Sequence, residues 1–350
     1  MGVRKDCSRS YKQDMAIFKT NFVIISMIVF SILMIIFPFF VNKYLLYIVT
    51  LSGIAVIGTL GLNIITGFTG QISLGQAGFF AIGAYTSAIL TLKLNFPFLI
   101  AMPLSGLVVA LTGLIVAIPS LRLKGLYLAI TTLAFAFIVD HIIVRWTTLT
   151  GGPFGMEVPV ITVGGFAFDT DIRFYYLVLF MAVIATLYGT NLVRTKVGRS
   201  FIAIRDRDVS AEVMGINLRK YKILAFMISS AYIGIAGSLY AHFLSFIGPE
   251  HFTFLLTIEY FAMIIVGGMG SIIGSIFGAI FITLLPEGIR ILIEPLSNRF
   301  PLLLSSFGEL KAFINGVIIV LFLMFEPAGL YGRWRSIKTY WKTFPFRKFD

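Results

Sequence analysis

The sequence predicts an all-α polytopic membrane protein of about ten transmembrane helices. Three observations carry that prediction. Hydrophobic residues make up 58% of the chain and charged residues only 13%, with a mean hydropathy of +0.95, which leaves too little charge to cover a water-soluble globule. Apolar runs of about 20 residues, the length that crosses a bilayer core, recur between short polar breaks. Lysines and arginines gather in alternate breaks, as cations that set helix orientation do.

The runs fall at 22–41, 44–64, 72–92, 98–118, 126–144, 174–193, 223–243, 252–266, 272–293 and 312–325. The first follows a basic tail, is long, and has no small-residue cleavage site behind it, so it reads as a retained span and not a signal peptide. The eighth and tenth are short, as tilted, broken or partly inserted helices would be. With the N-terminus inside and the spans alternating, 21 of the 28 lysines and arginines lie on the cytoplasmic side. They sit in a tail at 1–21, at Arg122 and Lys124, in a loop at 194–222, and in a tail at 327–350. The other seven (Lys43, Lys93, Arg145, Arg173, Arg290, Arg299 and Lys311) lie outside or near outer helix ends. That asymmetry predicts both termini in the cytoplasm and an even number of spans, with one membrane domain over 22–326. An outer loop at 145–173 is turn-rich, with Gly151-Gly152-Pro153 and Gly164-Gly165. Five spans before residue 150 and five after it would give halves of opposite orientation, the arrangement of an inverted repeat.

The same composition excludes several classes. A net charge of +12 would suggest nucleic acid in a soluble protein, but no basic and aromatic module is present and the cations serve topology. Cys7, the single cysteine, can form neither an internal disulfide nor a cysteine-rich metal site. Asp6 stands where a myristoylation signal needs Ser or Thr, which leaves Cys7 incidental. His141, His242 and His251 lack metal-ligand spacing. Gly70 and Gly75 have the spacing of a phosphate loop, but Gln76-Ala77 replaces its Lys-Ser/Thr, so ATP hydrolysis by this chain is not expected. The scattered histidines and lone cysteine also argue against a membrane-embedded enzyme.

Three segments concentrate unusual chemistry. The stretch from Gly61 to Gly78 lies between apolar spans yet carries Asn63, Thr66, Thr69, Gln71, Ser73 and Gln76. Such groups need partners in lipid, so they belong either to a polar pathway or to helix–helix packing. In the loop at 194–222, Asp208 is placed to cap a short helix and Gly215 to end it in a left-handed conformation. Val209, Val213 and Met214 alternate there with Asp208 and Glu212, so the segment reads either as a solvated loop or as an amphipathic helix that docks on another protein. Gly270, Gly274 and Gly278 recur every fourth residue, a stripe for close helix packing. Among ionisable groups within spans (Asp140, His141, Glu259, Glu287 and Arg290), Glu287 and Arg290 are spaced to pair on one helix face.

At these segments the chain resembles the LivM-type permeases of branched-chain amino acid ABC importers. The matching text is GLNIITGFTGQISLGQAGFFAIGAY at 61–85, LRLKGLYLAITTLAF at 121–135, GRSFIAIRDRDVSAEVMGINLRKYKILAF at 198–226, IVGGMGSIIGSIFGAI at 265–280 and FEPAGLYG at 325–332. The resemblance implies a second, homologous permease subunit, two cytoplasmic ATPase subunits that bind the ATP, an extracytoplasmic substrate-binding protein and a bacterial-type inner membrane; no cofactor of the chain itself is implied. It also implies that Arg205, Asp206, Asp208, Ala211, Glu212 and Gly215 form the ATPase-coupling segment. Related permeases carry urea, short amides or other compact amino acids on much the same motifs, and no residue set here separates these from leucine, isoleucine and valine. A stand-alone secondary transporter is the competing reading; it would work without ATP.

Overall fold

The computed structural model describes residues 32–123, 125–163, 166–168, 170–297, 307–326 and 328–343. The chain divides into a unit over Met1–Leu46 and a unit over Tyr47–Asp350. The described part of the first contains helix at 32–36 and a 3-10 turn, Phe37–Phe39, around Pro38. The other residues of the first predicted span, like the basic N-tail with Cys7, lie outside the described residues.

The membrane unit is built from helices in the predicted order. Helix α1 (Lys43–Leu62) runs into a π-helical stretch, Asn63–Phe68. It is followed by α2 (Gln76–Leu92), α3 (Phe98–Ser120), α4 (Leu126–Arg145) and α5 (Asp171–Arg194). Two short helices, α6 (Lys196–Asp206) and α7 (Asp208–Val213), lead to α8 (Leu218–Leu244), α9 (Phe254–Gly267), α10 (Ile272–Ser297), α11 (Phe307–Phe325) and α12 (Gly329–Thr343). By length and composition seven stretches among the described residues can cross a membrane: Lys43–Phe68, Phe98–Ser120, Leu126–Arg145, Asp171–Arg194, Leu218–Leu244, Pro249–Gly267 and Ile272–Ile291. Gln76–Leu92 is apolar but shorter. The chain is thus a multi-pass, helical membrane protein.

Seven of the ten predicted spans match these stretches and differ from them mainly at their ends; the tenth, 312–325, falls within α11, which is not among the seven. The third begins four residues late because residues 72–75 are not helical. The eighth gains length from a 3-10 turn, Pro249–Phe252, ahead of α9. Among the described residues the departure from helix is a pair of two-stranded sheets. β1 (Met156–Glu157) pairs antiparallel with β4 (Phe246–Ile247), and β2 (Thr162–Val163) with β3 (Phe166–Ala167). They fold the loop after α4, where Gly151, Gly152 and Gly155 have positive φ, as its turn-rich sequence predicts.

Helix α8 is the centre of the bundle, packed between α2 and α3. Its closest approaches are made by small residues. A Cβ on Gly83 of α2 would lie 2.6 Å from the Cα of Gly234 of α8, and a Cβ on Gly234 would lie 2.7 Å from the Val109 side chain of α3. Lipid offers no hydrophobic drive between helices, so such backbone proximity supplies the dispersion contacts that hold them. The outward faces are apolar: Leu107, Leu111 and Ile115 on α3, Phe137, Ile138 and Ile142 on α4, and Phe180, Val183 and Ile184 on α5 are exposed. Water would disfavour that surface and a bilayer favours it.

Candidate functional site

The site begins where α1 stops being regular. Its last turn widens to i→i+5 pairing over Asn63–Phe68, a geometry that occurs mostly as single turns at functional places. The chain then leaves the helix through Gly70, at φ 71°, and does not resume it until Gln76. Several polar groups of this break are satisfied from within the protein. Thr69 Oγ1 donates to the Ile64 carbonyl at 2.9 Å, Thr66 Oγ1 to the Gln71 carbonyl at 3.2 Å, and Gln76 Nε2 to the Gly58 carbonyl at 3.3 Å. Backbone N–H groups of Leu74 and Ala77 donate to Thr132 of α4 (2.8 Å) and Thr257 of α9 (3.1 Å). Ser73 is buried too. Helix α1 can end inside the bundle because four elements share the cost of its open backbone.

A second break, Gly268–Ser271 between α9 and α10, meets the first through Asn63. This side chain is wholly buried. Its Nδ2 donates to the Ser271 carbonyl at 3.0 Å and to Ser275 Oγ at 2.7 Å, and its Oδ1 accepts from the Gly270 N–H at 2.8 Å. One amide therefore ties the end of α1 to the start of α10. The predicted glycine stripe needs correction here. Gly270 is not on the helix: it lies in the break, at φ 78°, because a sharp reversal must precede Ile272. Gly274 and Gly278 do form the packing face. A Cβ on Gly274 would stand 2.6 Å from the Gly267 carbonyl oxygen, and one on Gly278 2.8 Å from the Gly267 nitrogen.

The third segment reaches the same place. Arg205, near the end of α6, donates from Nη1 to the Gly67 carbonyl at 3.1 Å. Its side chain covers Gly70, and a Cβ on Gly270 would lie 2.7 Å from that Nη1. The other edge of the guanidinium holds Asp206, with Nε and Nη2 at 3.0 and 2.9 Å from Oδ1. A cavity of about 240 Å³ opens beside it, lined among others by Thr69, Gly70, Gln71, Arg205, Asp206 and Arg207. Gln71 Nε2 and Gln76 Oε1 are buried without a protein partner, and these are the two groups of the segment left for water or a moving neighbour.

Beyond Arg207 the chain forms α7. The structure moves Asp208 from the predicted cap to the first helical position. Arg207 takes the cap position without a side-chain bond, and Asp208 Oδ1 accepts from the adjacent Val209 N–H at 2.9 Å. The physical reason is the extended backbone of Arg207 (φ −158°, ψ 105°), which already turns the chain into the helix. The C-terminus is as predicted. Gly215, at φ 82°, donates to the Glu212 carbonyl at 2.9 Å while Ile216 donates to that of Ala211 at 3.0 Å, the paired bonds of a left-handed helix end. Ala211 is buried against the protein, Glu212 is exposed, and Val209, Val213 and Met214 point outward at 67%, 84% and 84% exposure. Their outward direction makes α7 a surface helix with exposed apolar side chains.

Sequence reading missed a buried polar chain at the other end of α8. His242 Nε2 lies 3.1 Å from Ser87 Oγ, Ser238 Oγ donates to Ser87 Oγ at 2.7 Å, and His242 Nδ1 lies 3.1 Å from the Pro159 carbonyl. The carbonyl accepts, so Nδ1 carries the proton and Nε2 accepts from Ser87. The chain ties α2 and α8 to the loop after α4. The separation in sequence, 155 residues between Ser87 and His242, hid it. Asp140 and His141 are exposed near the end of α4, Glu287 is half-buried and Arg290 exposed.

Two helix breaks within an apolar bundle, one of them held by an arginine that precedes a short surface helix, belong here to a multi-pass membrane protein. Sequence comparison identifies the class further. The family "Branched-chain amino acid transport system / permease component" matches residues 44–323, and the chain belongs to it. It is 34% identical over 323 residues (85% of this chain, 72% of the relative) to the high-affinity branched-chain amino acid transport system permease protein LivM of Escherichia coli strain K12. The LivM of Salmonella typhimurium is also 34% identical, over 84% of this chain and 71% of its own length. The corresponding LivH permease of Salmonella typhimurium is 24% identical over 81% and 93%. No solved structure matches the chain. The chain is therefore a LivM-type permease component.

Proposed function

We propose that the chain carries leucine, isoleucine and valine across a bacterial-type inner membrane, in a complex with a second, homologous permease subunit, two cytoplasmic ATPase subunits and an extracytoplasmic binding protein. In this reading the chain has about ten spans in two halves of opposite orientation, both termini lie in the cytoplasm, and residues 194–222 face the ATPases. The two glycine-rich breaks joined by Asn63 are the pair of broken helices such a repeat would carry.

The observation that carries the coupling role is Arg205. Helix α7 offers Val209, Val213 and Met214 to a partner groove, while Arg205, three residues before it, grips Gly67 and borders Gly270. An ATPase that displaces α7 on closing pulls on both broken helices through one side chain. Such a connection couples two states only if its bonds differ between them, and an exposed charged fork over backbone carbonyls can exchange partners without leaving a buried charge.

The test is uptake of labelled leucine by cells with and without the gene, with isoleucine, valine and urea as competitors. Loss of high-affinity uptake on deletion, with aliphatic amino acids competing, supports the substrate; intact leucine uptake moves the substrate to urea, an amide or another small solute. Glu212→Arg and Gly215→Trp should insert normally and lose uptake, since the first reverses a charge on the docking face and the second fills the left-handed helix end. Full uptake in both variants would refute the coupling role of α7.

A further inference from the structure

The C-terminal helix α12 (Gly329–Thr343, GLYGRWRSIKTYWKT) lies beyond the family match, which ends at residue 323. Three residues separate it from α11, which ends at Phe325, so its start stands within about 14 Å of the end of that apolar helix. Its root is fixed to the bundle. A Cβ on Gly268 would meet the Ala328 carbonyl at 2.7 Å and the Tyr331 side chain at 3.4 Å, and Arg333 Nε donates to Glu326 Oε2 at 2.7 Å. At 3.6 residues per turn, Leu330, Trp334 and Ile337 fall within about 60° of one face, and the sequence continues that spacing with Trp341. Leu330 packs on the core, but Trp334 and Ile337 are 56% and 49% exposed. Arg335 and Lys338, both exposed, stand on one side of this face, and Gly332, Ser336 and Thr339 lie opposite it. Lys342, Arg347 and Lys348 follow in the sequence.

We propose that α12 lies in the interface of the membrane that holds the protein and binds anionic lipid headgroups, with Trp334 and Ile337 immersed and Arg335 and Lys338 on the phosphates. A helix with a narrow apolar face, an indole and flanking cations, rooted at the end of an apolar helix, matches that environment in shape, polarity and charge. The cations select negative lipid because a headgroup layer of that sign attracts each lysine or arginine held near it, roughly fivefold per cation. The opposite face, made of small polar residues, is left to water.

The experiment uses the full chain with Cys7→Ser and a single new cysteine, either Ile337→Cys on the apolar face or Ser336→Cys on the polar one, carrying an environment-sensitive fluorophore. The protein is placed in lipid discs of phosphatidylcholine alone or with part of it replaced by phosphatidylglycerol. The probe at 337 should be quenched by spin-labelled lipid and shielded several-fold from iodide in the anionic discs, while the probe at 336 stays open to iodide. Arg335→Gln with Lys338→Gln should return the 337 probe to iodide. Equal access at both positions in both discs would overturn the proposal. So would equal shielding in the neutral discs, which removes the charge selection, or shielding that appears only when ATPase subunits are added, which makes the face a protein contact.

Discussion

Replacing Asn63 with leucine removes a side chain whose hydrogen bonds join the two helix breaks, and its cost can be worked bond by bond. The amide makes three bonds, to the Ser271 carbonyl, Ser275 Oγ and the Gly270 N–H. Within membranes a side-chain hydrogen bond between helices is worth about 0.6 kcal/mol on average, so the three together give roughly 2 kcal/mol. They are not lost equally. Ser275 Oγ keeps its bond to the Ser271 carbonyl at 3.1 Å, and that carbonyl therefore keeps a donor. The Gly270 N–H loses its acceptor in a place where the neighbouring glycines leave little room for water, and such an orphan costs about 1–3 kcal/mol. Leucine shares the branching of asparagine but is larger, and in this tight site it recovers little of the loss. A net loss of about 2–4 kcal/mol is expected, read as a shifted midpoint in a reversible detergent titration of the purified chain followed by circular dichroism. Ser275→Ala alone should cost under about 1 kcal/mol, and the double variant should fall short of the sum by about 0.5–1 kcal/mol. A loss below about 1 kcal/mol for Asn63→Leu, or strict additivity with Ser275→Ala, would show that Asn63 does not hold the two breaks together.

Other outcomes follow from the same geometry. Arg205→Lys keeps the charge but loses the fork that reaches Gly67 and Asp206 together. Leucine uptake should fall roughly 10- to 100-fold, the scale of one charged hydrogen bond, while co-purification with the ATPase subunits persists; unchanged uptake counts against the linkage. Gly278→Val should destabilise the bundle by about 2–3 kcal/mol or prevent insertion, because the new carbons meet backbone of α9 and not a side chain that could turn away. Expression and melting temperature at wild-type values would contradict the packing. His242→Leu should free the Pro159 carbonyl and Ser87, and hydrogen exchange of residues 156–159 should rise about tenfold while α8 itself stays protected.

What was legible in the sequence follows from how local each cause is. Span positions were readable because about 20 apolar residues in a row satisfy the bilayer whatever lies beside them. The end of α7 at Gly215 was readable because a left-handed residue is a local demand on one backbone position. The start of α7 was not, since extended backbone at Arg207 does what a capping aspartate would otherwise do. The glycine spacing that put Gly270 on a helix face was real as a period, but a period cannot tell a helical glycine from one in the turn before the helix. For the polar set at 63–76, packing and pathway were equally open in the sequence. The bonds of Asn63, Thr66, Thr69 and Gln76 favour packing, and only Gln71 Nε2 and Gln76 Oε1 keep unmet capacity.

By itself the sequence determined the solvent of this protein, its succession of apolar helices and, through its motifs, its membership of a permease family. Each depends on composition along one stretch of chain, and local composition decides transfer between water and lipid. Only the tertiary structure decided that Asn63, Arg205 and Gly270 form one joint and that His242 closes a chain from Ser87 to Pro159. Those contacts span 83 to 208 residues. They depend on which faces α1, α6, α8 and α10 turn toward one another, and that choice is made by the packing of small residues across whole helices.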